Sequence, residues 1–233
     1  MKHPFGTAGQ RSRPLPHRGS RFAWLVLTLM LLLSVTAGTL FAAEASSAKA
    51  SSRTVLVMGD SLSAAYGLSA SQGWVTLAAQ RIAREKPGWK VVNASVSGET
   101  TAGGRSRIAG ELKRHRPQVL VIALGANDGL RGLPVAAMRD NLDAMTRAGQ
   151  ASGARVLIVG MQMPPNLGRA YTQQFAQSFA VVAKARGATL LPFLLQPIAS
   201  DRAAFQDDNL HPVASAQPKL MAHVWPSLAP LLK

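Results

Sequence analysis

The 233-residue chain contains no cysteine, which excludes a disulfide framework and a thiol nucleophile and leaves stability to the core alone. Carboxylates are scarce too: 11 Asp and Glu stand against 26 Lys and Arg, a formal charge of +15. Aromatic residues make up only 6%. The basic residues are scattered singly, with no aromatic-interleaved patch, so no nucleic-acid partner is expected. No Gly-x-Gly-x-x-Gly or Gly-x-x-x-x-Gly-Lys-Ser/Thr stretch occurs, and a nucleotide cofactor is therefore not expected. The Gly-x-Ser-x-Gly elbow of the ordinary α/β-hydrolase is missing as well.

One long apolar run is present, at the N-terminus. Lys2, Arg11, Arg13, Arg18 and Arg21 precede a charge-free apolar stretch from Phe22 to Phe41, and Ala43-Glu44-Ala45 supplies a small-x-small cleavage signal. Residues 1–45 therefore read as an export signal, and the mature chain is expected in the periplasm or outside the cell. A run of roughly 20 apolar residues also suffices to span a bilayer, so an uncleaved anchor is the alternative. Residues 46–53 read as a flexible lead-in, followed by one domain over 54–233, a length that suits a single core. Without the leader, 21 basic and 10 acidic residues remain, a net charge near +11. That balance suits transient contact with an anionic membrane surface. A monomer is expected.

Past the leader, short β-rich apolar runs alternate with longer segments of helical period, the pattern of a parallel α/β sheet. Strands are predicted at Thr54–Met58, Lys90–Ala94, Gln118–Leu124, Arg155–Met161 and Thr189–Pro192, each nearly all apolar inside, as a strand covered on both faces should be. Helices are predicted at Gly73–Glu85, Thr101–His115, Pro134–Ser152, Tyr171–Arg186 and Val213–Leu228. Five strands with helices on both sides imply an α/β fold, a flavodoxin-like three-layer αβα sandwich. Its ligands would bind beyond the carboxyl ends of the strands.

The first strand runs into Gly59-Asp60-Ser61-Leu62, which puts Ser61 at that edge, at an expected helix start whose free N–H groups and dipole would favour an oxyanion. A serine alcohol needs a base, and the base needs a group to orient it. Of five histidines, two lie in the leader and two on helices; only His211 lies in a loop. Asp208 stands three residues before it, close enough to fold back on Nδ1 and aim Nε2 at Ser61. Two more strand ends lead to Gly98 and to Gly125-Ala126-Asn127-Asp128. The N–H groups of Ser61 and Gly98, with the Asn127 side-chain amide, would supply three oxyanion donors.

Gly59-Asp60-Ser61-Leu62, Gly98, Gly125-Ala126-Asn127-Asp128 and Asp208-Asn209-Leu210-His211 together resemble, in order, the four blocks of the GDSL (SGNH) hydrolase family, over Thr54 to about Pro230. Within it, Ser61-Leu62-Ser63-Ala64-Ala65-Tyr66-Gly67 and Asn127-Asp128-Gly129-Leu130-Arg131-Gly132 are similar to the signatures of the bacterial periplasmic acyl-CoA thioesterase, lysophospholipase and arylesterase branch. The resemblance implies the SGNH fold and a serine esterase without metal or cofactor, with Ser61, Asp208 and His211 as triad. Its substrates would be small-molecule or lipid esters and thioesters. It also implies that Met161–Tyr171 is a mobile loop over the acyl chain, making Pro165, Asn166, Leu167 and Tyr171 substrate contacts. Two residues depart from the pattern: Ala65 where the branch has glycine, and Ala126 where glycine often precedes the asparagine. Both are expected to narrow the site. A carbohydrate O-deacetylase on the same fold, or a non-catalytic envelope protein binding lipid or glycan, are the alternatives.

Overall fold

A computed structural model describes residues 52–233; the expected export signal (1–45) and most of the lead-in lie outside the described residues. Five parallel strands form one sheet in the order β2-β1-β3-β4-β5. They are β1 (Arg53–Gly59), β2 (Trp89–Asn93), β3 (Val119–Ala123), β4 (Arg155–Val159) and β5 (Thr189–Leu191). Helices α1 (Trp74–Glu85), α2 (Thr101–His115), α3 (Ala126–Leu130), α4 (Val135–Ala151), α5 (Arg169–Arg186) and α6 (Gln217–Leu228) connect or follow them. The expected three-layer αβα sandwich is the architecture observed. Arg53, placed by the sequence in the lead-in, opens β1 instead and pairs in register with Trp89.

The strand order explains where the site must be. From β1 the chain crosses to β2 on one side, then returns past β1 to β3 and moves on to β4 and β5. With every crossover right-handed, that reversal puts α1 on one face and α2, α4 and α5 on the other. Contacts agree: α1 packs on α6, α2 on α4, and α4 on α5. The reversal parts the loops after β1 and β3, the switch point at which an open α/β sheet takes its ligand. Strand interiors supply the core. Val55, Leu56, Met58, Val119 to Ile122, Leu157 and Ile158 have no exposed surface, which fixes each strand end to the sheet.

Two differences from the sequence pattern have local causes. The last helix starts at Gln217, because Ala214–Ala216 forms a 3-10 turn ahead of it and Pro218 sits in its first turn. Helix α3, five residues long, has no apolar period to announce it and forms around the Asn127 motif.

Candidate active site

Gly59 ends β1 where no larger residue fits: a Cβ there would lie 2.7 Å from the Ser63 side chain and 2.9 Å from Ser95 Oγ. The chain then turns at once. Asp60 is buried, its Oδ1 accepts from the Leu62 N–H at 3.0 Å, and its carbonyl accepts from Ser63 and Ala64. Burial pushes its carboxyl up to about 6, against the hydrogen bond from Leu62 and the field of His211. The expected helix at Ser61 does not form. Residues 61–67 make successive turns, because Ala65 (φ 60°) and Gly67 (φ 74°) adopt left-handed backbone that no α-helix tolerates. The Leu62 N–H is taken by Asp60, so a helix dipole adds nothing here. Ala65 keeps its methyl only because Gly73 opposite has none; a Cβ on Gly73 would approach it to 2.6 Å.

His211 arrives on a separate loop, closed by a bridge between Phe205 and Pro212 and by the Gln206 N–H donating to the His211 carbonyl at 2.8 Å. Inside it Asp208 folds back. Its Oδ1 accepts from the N–H groups of Leu210 (2.9 Å) and His211 (3.0 Å), and its Oδ2 lies 2.6 Å from His211 Nδ1. The backbone N–H of His211, its ring and the Leu210 N–H hold the Asp208 carboxyl down to about 2. A carboxylate can only accept, so Nδ1 carries the proton and donates, which leaves Nε2 free to accept from Ser61 Oγ 2.8 Å away. Gln206 ties the two loops together through its Nε2, which donates to the carbonyls of Tyr66 and Pro212. The Tyr66 ring lies 4.4 Å from the imidazole. Gln206 has no sequence signal of its own, and Tyr66, though within the Ser61–Gly67 signature, has no role assigned by it.

The oxyanion side is organised by α3, which grips the loop after β2 at three points. Asn127 Nδ2 donates to the Glu99 carbonyl at 3.1 Å, and Arg131 donates to the Gly98 carbonyl at 2.9 Å. Buried Asp128 accepts from both the N–H (2.8 Å) and the hydroxyl (2.6 Å) of Thr101 at the start of α2. Gly98 has a φ of 79°, a conformation glycine reaches without a Cβ clash. The Asn127 amide has a second N–H beyond the one used on Glu99.

Ser61, Asn127 and His211 share the wall of a cavity of about 270 Å³. Gly98 is not on that wall and connects to it through Glu99. The remaining lining is mainly apolar, including Ala126, Leu130, Met161, Met163, Phe193 and Leu210. Ala126, one of the two departures, lines this space; Ala65 instead packs on Gly73. The expected substrate contacts lie elsewhere. Pro165, Asn166 and Leu167 form an exposed 3-10 turn, and the Tyr171 hydroxyl donates to the Leu133 carbonyl at 3.1 Å. The same loop reaches the cavity earlier, with Met161 to Pro164. Phe193 and Phe205 join the wall from segments without motifs. Among the described residues no group of three or more His, Cys, Asp or Glu is placed to hold a metal ion.

A serine hydroxyl bonded to an imidazole that a carboxylate orients, at the switch point of a parallel αβα sandwich, is the constellation of a serine hydrolase. The family described as GDSL-like Lipase/Acylhydrolase matches residues 57–217, and the chain belongs to it. Esterase TesA of Pseudomonas aeruginosa is 45% identical over 184 residues, covering 79% of this chain and 92% of that one. Thioesterase 1/protease 1/lysophospholipase L1 of Escherichia coli K12 is 35% identical, covering 78% and 86%. The crystal structure of the psychrotrophic esterase EstA from Pseudoalteromonas sp., inhibited by monoethylphosphonate, superposes with a TM-score of 0.74 at 38% identity, covering 77% and 98%.

Proposed function

We propose that Ser61 is the nucleophile, His211 the general base and Asp208 the group that orients it, in a hydrolase of carboxylic esters and thioesters. The observation that carries this is the unbroken chain Asp208–His211–Ser61, with contacts of 2.6 and 2.8 Å, opening onto an apolar cavity. His211 Nε2 takes the Ser61 proton as Oγ adds to the acyl carbon. The resulting oxyanion is received by the Ser61 and Gly98 N–H groups and by the free N–H of Asn127. The imidazolium, stabilised by Asp208, returns the proton to the departing alcohol or thiol, and an acyl-enzyme remains. Water, deprotonated by the same imidazole, then attacks the acyl carbon and releases the acid and Ser61.

The lining supports an acyl chain in the cavity ahead of a sugar, so aryl esters, acyl-CoA thioesters and lysophospholipids are the proposed substrates, with an O-deacetylase less favoured. The leader supports an exported chain, periplasmic or secreted. Replacing the nucleophile tests the mechanism. Ser61→Ala should keep the circular dichroism spectrum and lose about 10⁶ in kcat, and an organophosphonate should label the parent chain at Ser61 only. Labelling at another serine, or activity within about tenfold of the parent, would sink the assignment.

A further inference from the structure

The proposed chemistry uses one edge of the sheet, and the opposite edge carries a concentration of charge. In a parallel sandwich every strand begins, and every intervening helix ends, at the amino edge. Here that edge collects Arg53 and Lys90 from the strand starts, Lys113, Arg114 and Arg116 from the end of α2, and Lys184 from the end of α5. All six are exposed; Arg53 donates to the Lys233 terminal oxygen at 2.7 Å, and among the described residues the other five are in no salt bridge. The nearby carboxylates are already engaged: Glu85 by Arg81, Glu111 by Arg107 and His115, Asp143 by Arg147 and Arg186.

Helix dipoles explain a cation or two at each helix end. They do not explain Arg53 and Lys90, since strands carry little net dipole. Nor is the edge suited to single-stranded nucleic acid, which is held by exposed rings on which bases stack. Trp89 at this edge is buried with the Arg53 guanidinium 4.8 Å above its ring and that of Arg155 at 5.9 Å, and the ring of Trp225, at the end of α6, is covered by the Arg81 guanidinium at 4.1 Å. In the sequence, the apolar stretch Phe22–Phe41 leads into Arg53.

We propose that the amino edge docks on an anionic phospholipid surface, leaving the active-site edge turned away from the bilayer. This rests on the export reading above, which brings the chain to a membrane, and it assigns the membrane contact to a surface separate from the catalytic one. Substrate then enters from the aqueous side.

The test mixes the full-length chain with vesicles of phosphatidylcholine alone and with vesicles in which roughly a third of the lipid is phosphatidylglycerol, and sediments them at low and high salt. The leader, with its five basic residues, is the same in parent and variants, so the readout is the change in the ratio on substitution. The parent chain should favour the anionic vesicles by about tenfold or more at low salt and lose that preference at high salt. K113E/R114E/R116E should lower the ratio severalfold, and K113Q/R114Q/R116Q should lower it less, without risking new repulsion in the fold. R139E/K219E, at the opposite helix ends, should keep it. Equal binding of the parent to both vesicles, an unaltered ratio in the α2 variants, or an equal loss in R139E/K219E would each overturn the proposal. So would a parent chain with no vesicle preference that binds duplex DNA through Lys113, Arg114 and Arg116. Hydrolysis of a soluble p-nitrophenyl ester should be unchanged in every variant. Failure of the parent chain to hydrolyse it would overturn the catalytic reading and leave the docking result standing.

Discussion

The two edges of the sheet are made by one repeating βα unit and differ in both length and chemistry. At the amino edge the connections are as short as 86–88, 116–118, 152–154 and 187–188, and they present cations. At the carboxyl edge the chain spends 60–73, 94–100, 160–168 and 192–216 outside regular helix and strand apart from 3-10 turns. Among the described residues, six of the seven exposed large hydrophobics lie at this edge, namely Tyr66, Val96, Leu130, Leu133, Leu167 and Leu210; Val181 is the exception. Short turns serve packing, whereas a site needs loop length to bring side chains from distant strands together. The difference teaches that activity here depends on a few hydrogen bonds between loops, which single substitutions should expose.

The largest effect after loss of the proposed nucleophile should come from the His211 loop. Asp208→Asn keeps the shape but favours the wrong imidazole tautomer, and kcat should fall by up to about 10⁴. Asp207→Asn, one residue away and without a bond to the imidazole, should stay close to the parent. If Asp207 proved the more damaging site, the loop geometry would be wrong. Next comes Asn127→Ala, where loss of one oxyanion donor should lower kcat by roughly 10² to 10³ with a smaller change in KM. A rise in KM alone would make Asn127 a binding residue.

Two further tests concern stability rather than rate. Asp60 is held at about 6 in the fold against an ordinary 3.8, so between about pH 4 and 6 the folded state keeps a proton that the unfolded state has lost. Its contribution is therefore full below about 4 and disappears as pH rises through 6, a loss of about 2–3 kcal/mol. Asp60→Asn, which keeps an acceptor for Leu62, should flatten that slope in urea midpoints taken across the window; an unchanged slope would place the titration elsewhere. The smallest effect should be at Gly73. Gly73→Ala forces its methyl on that of Ala65 and should cost about 1–3 kcal/mol. Adding Ala65→Gly removes the collision and relieves the left-handed φ, so the double variant should recover most of the loss.

Much of this was legible beforehand. Parallel strands buried on both faces must be apolar throughout, and helices between them must keep an apolar stripe, so alternating periods in the sequence determined the sheet, its five strands and the span of α2. Ser61, Asn127 and His211 stand out because each follows or faces a strand end in a short polar motif. What the sequence could not express was distance. Whether residues 61–67 would be helix or turns depended on Gly73 giving Ala65 room, 8 residues on. Gln206 and Phe193 carry no motif, and Tyr66 and Met161, though in stretches the resemblance marks, take no role of their own from it; all four reach the site only because separate loops converge there. Pro165 to Leu167 and Tyr171 lie in the right loop but miss the cavity, since a loop's position along the chain does not say which residues turn inward. Local sequence determined which chemistry the chain carries; tertiary packing alone decided which of those groups meet, because contacts between residues 150 apart in the chain, such as Ser61 and His211, exist only once the sheet has set both loops at one edge.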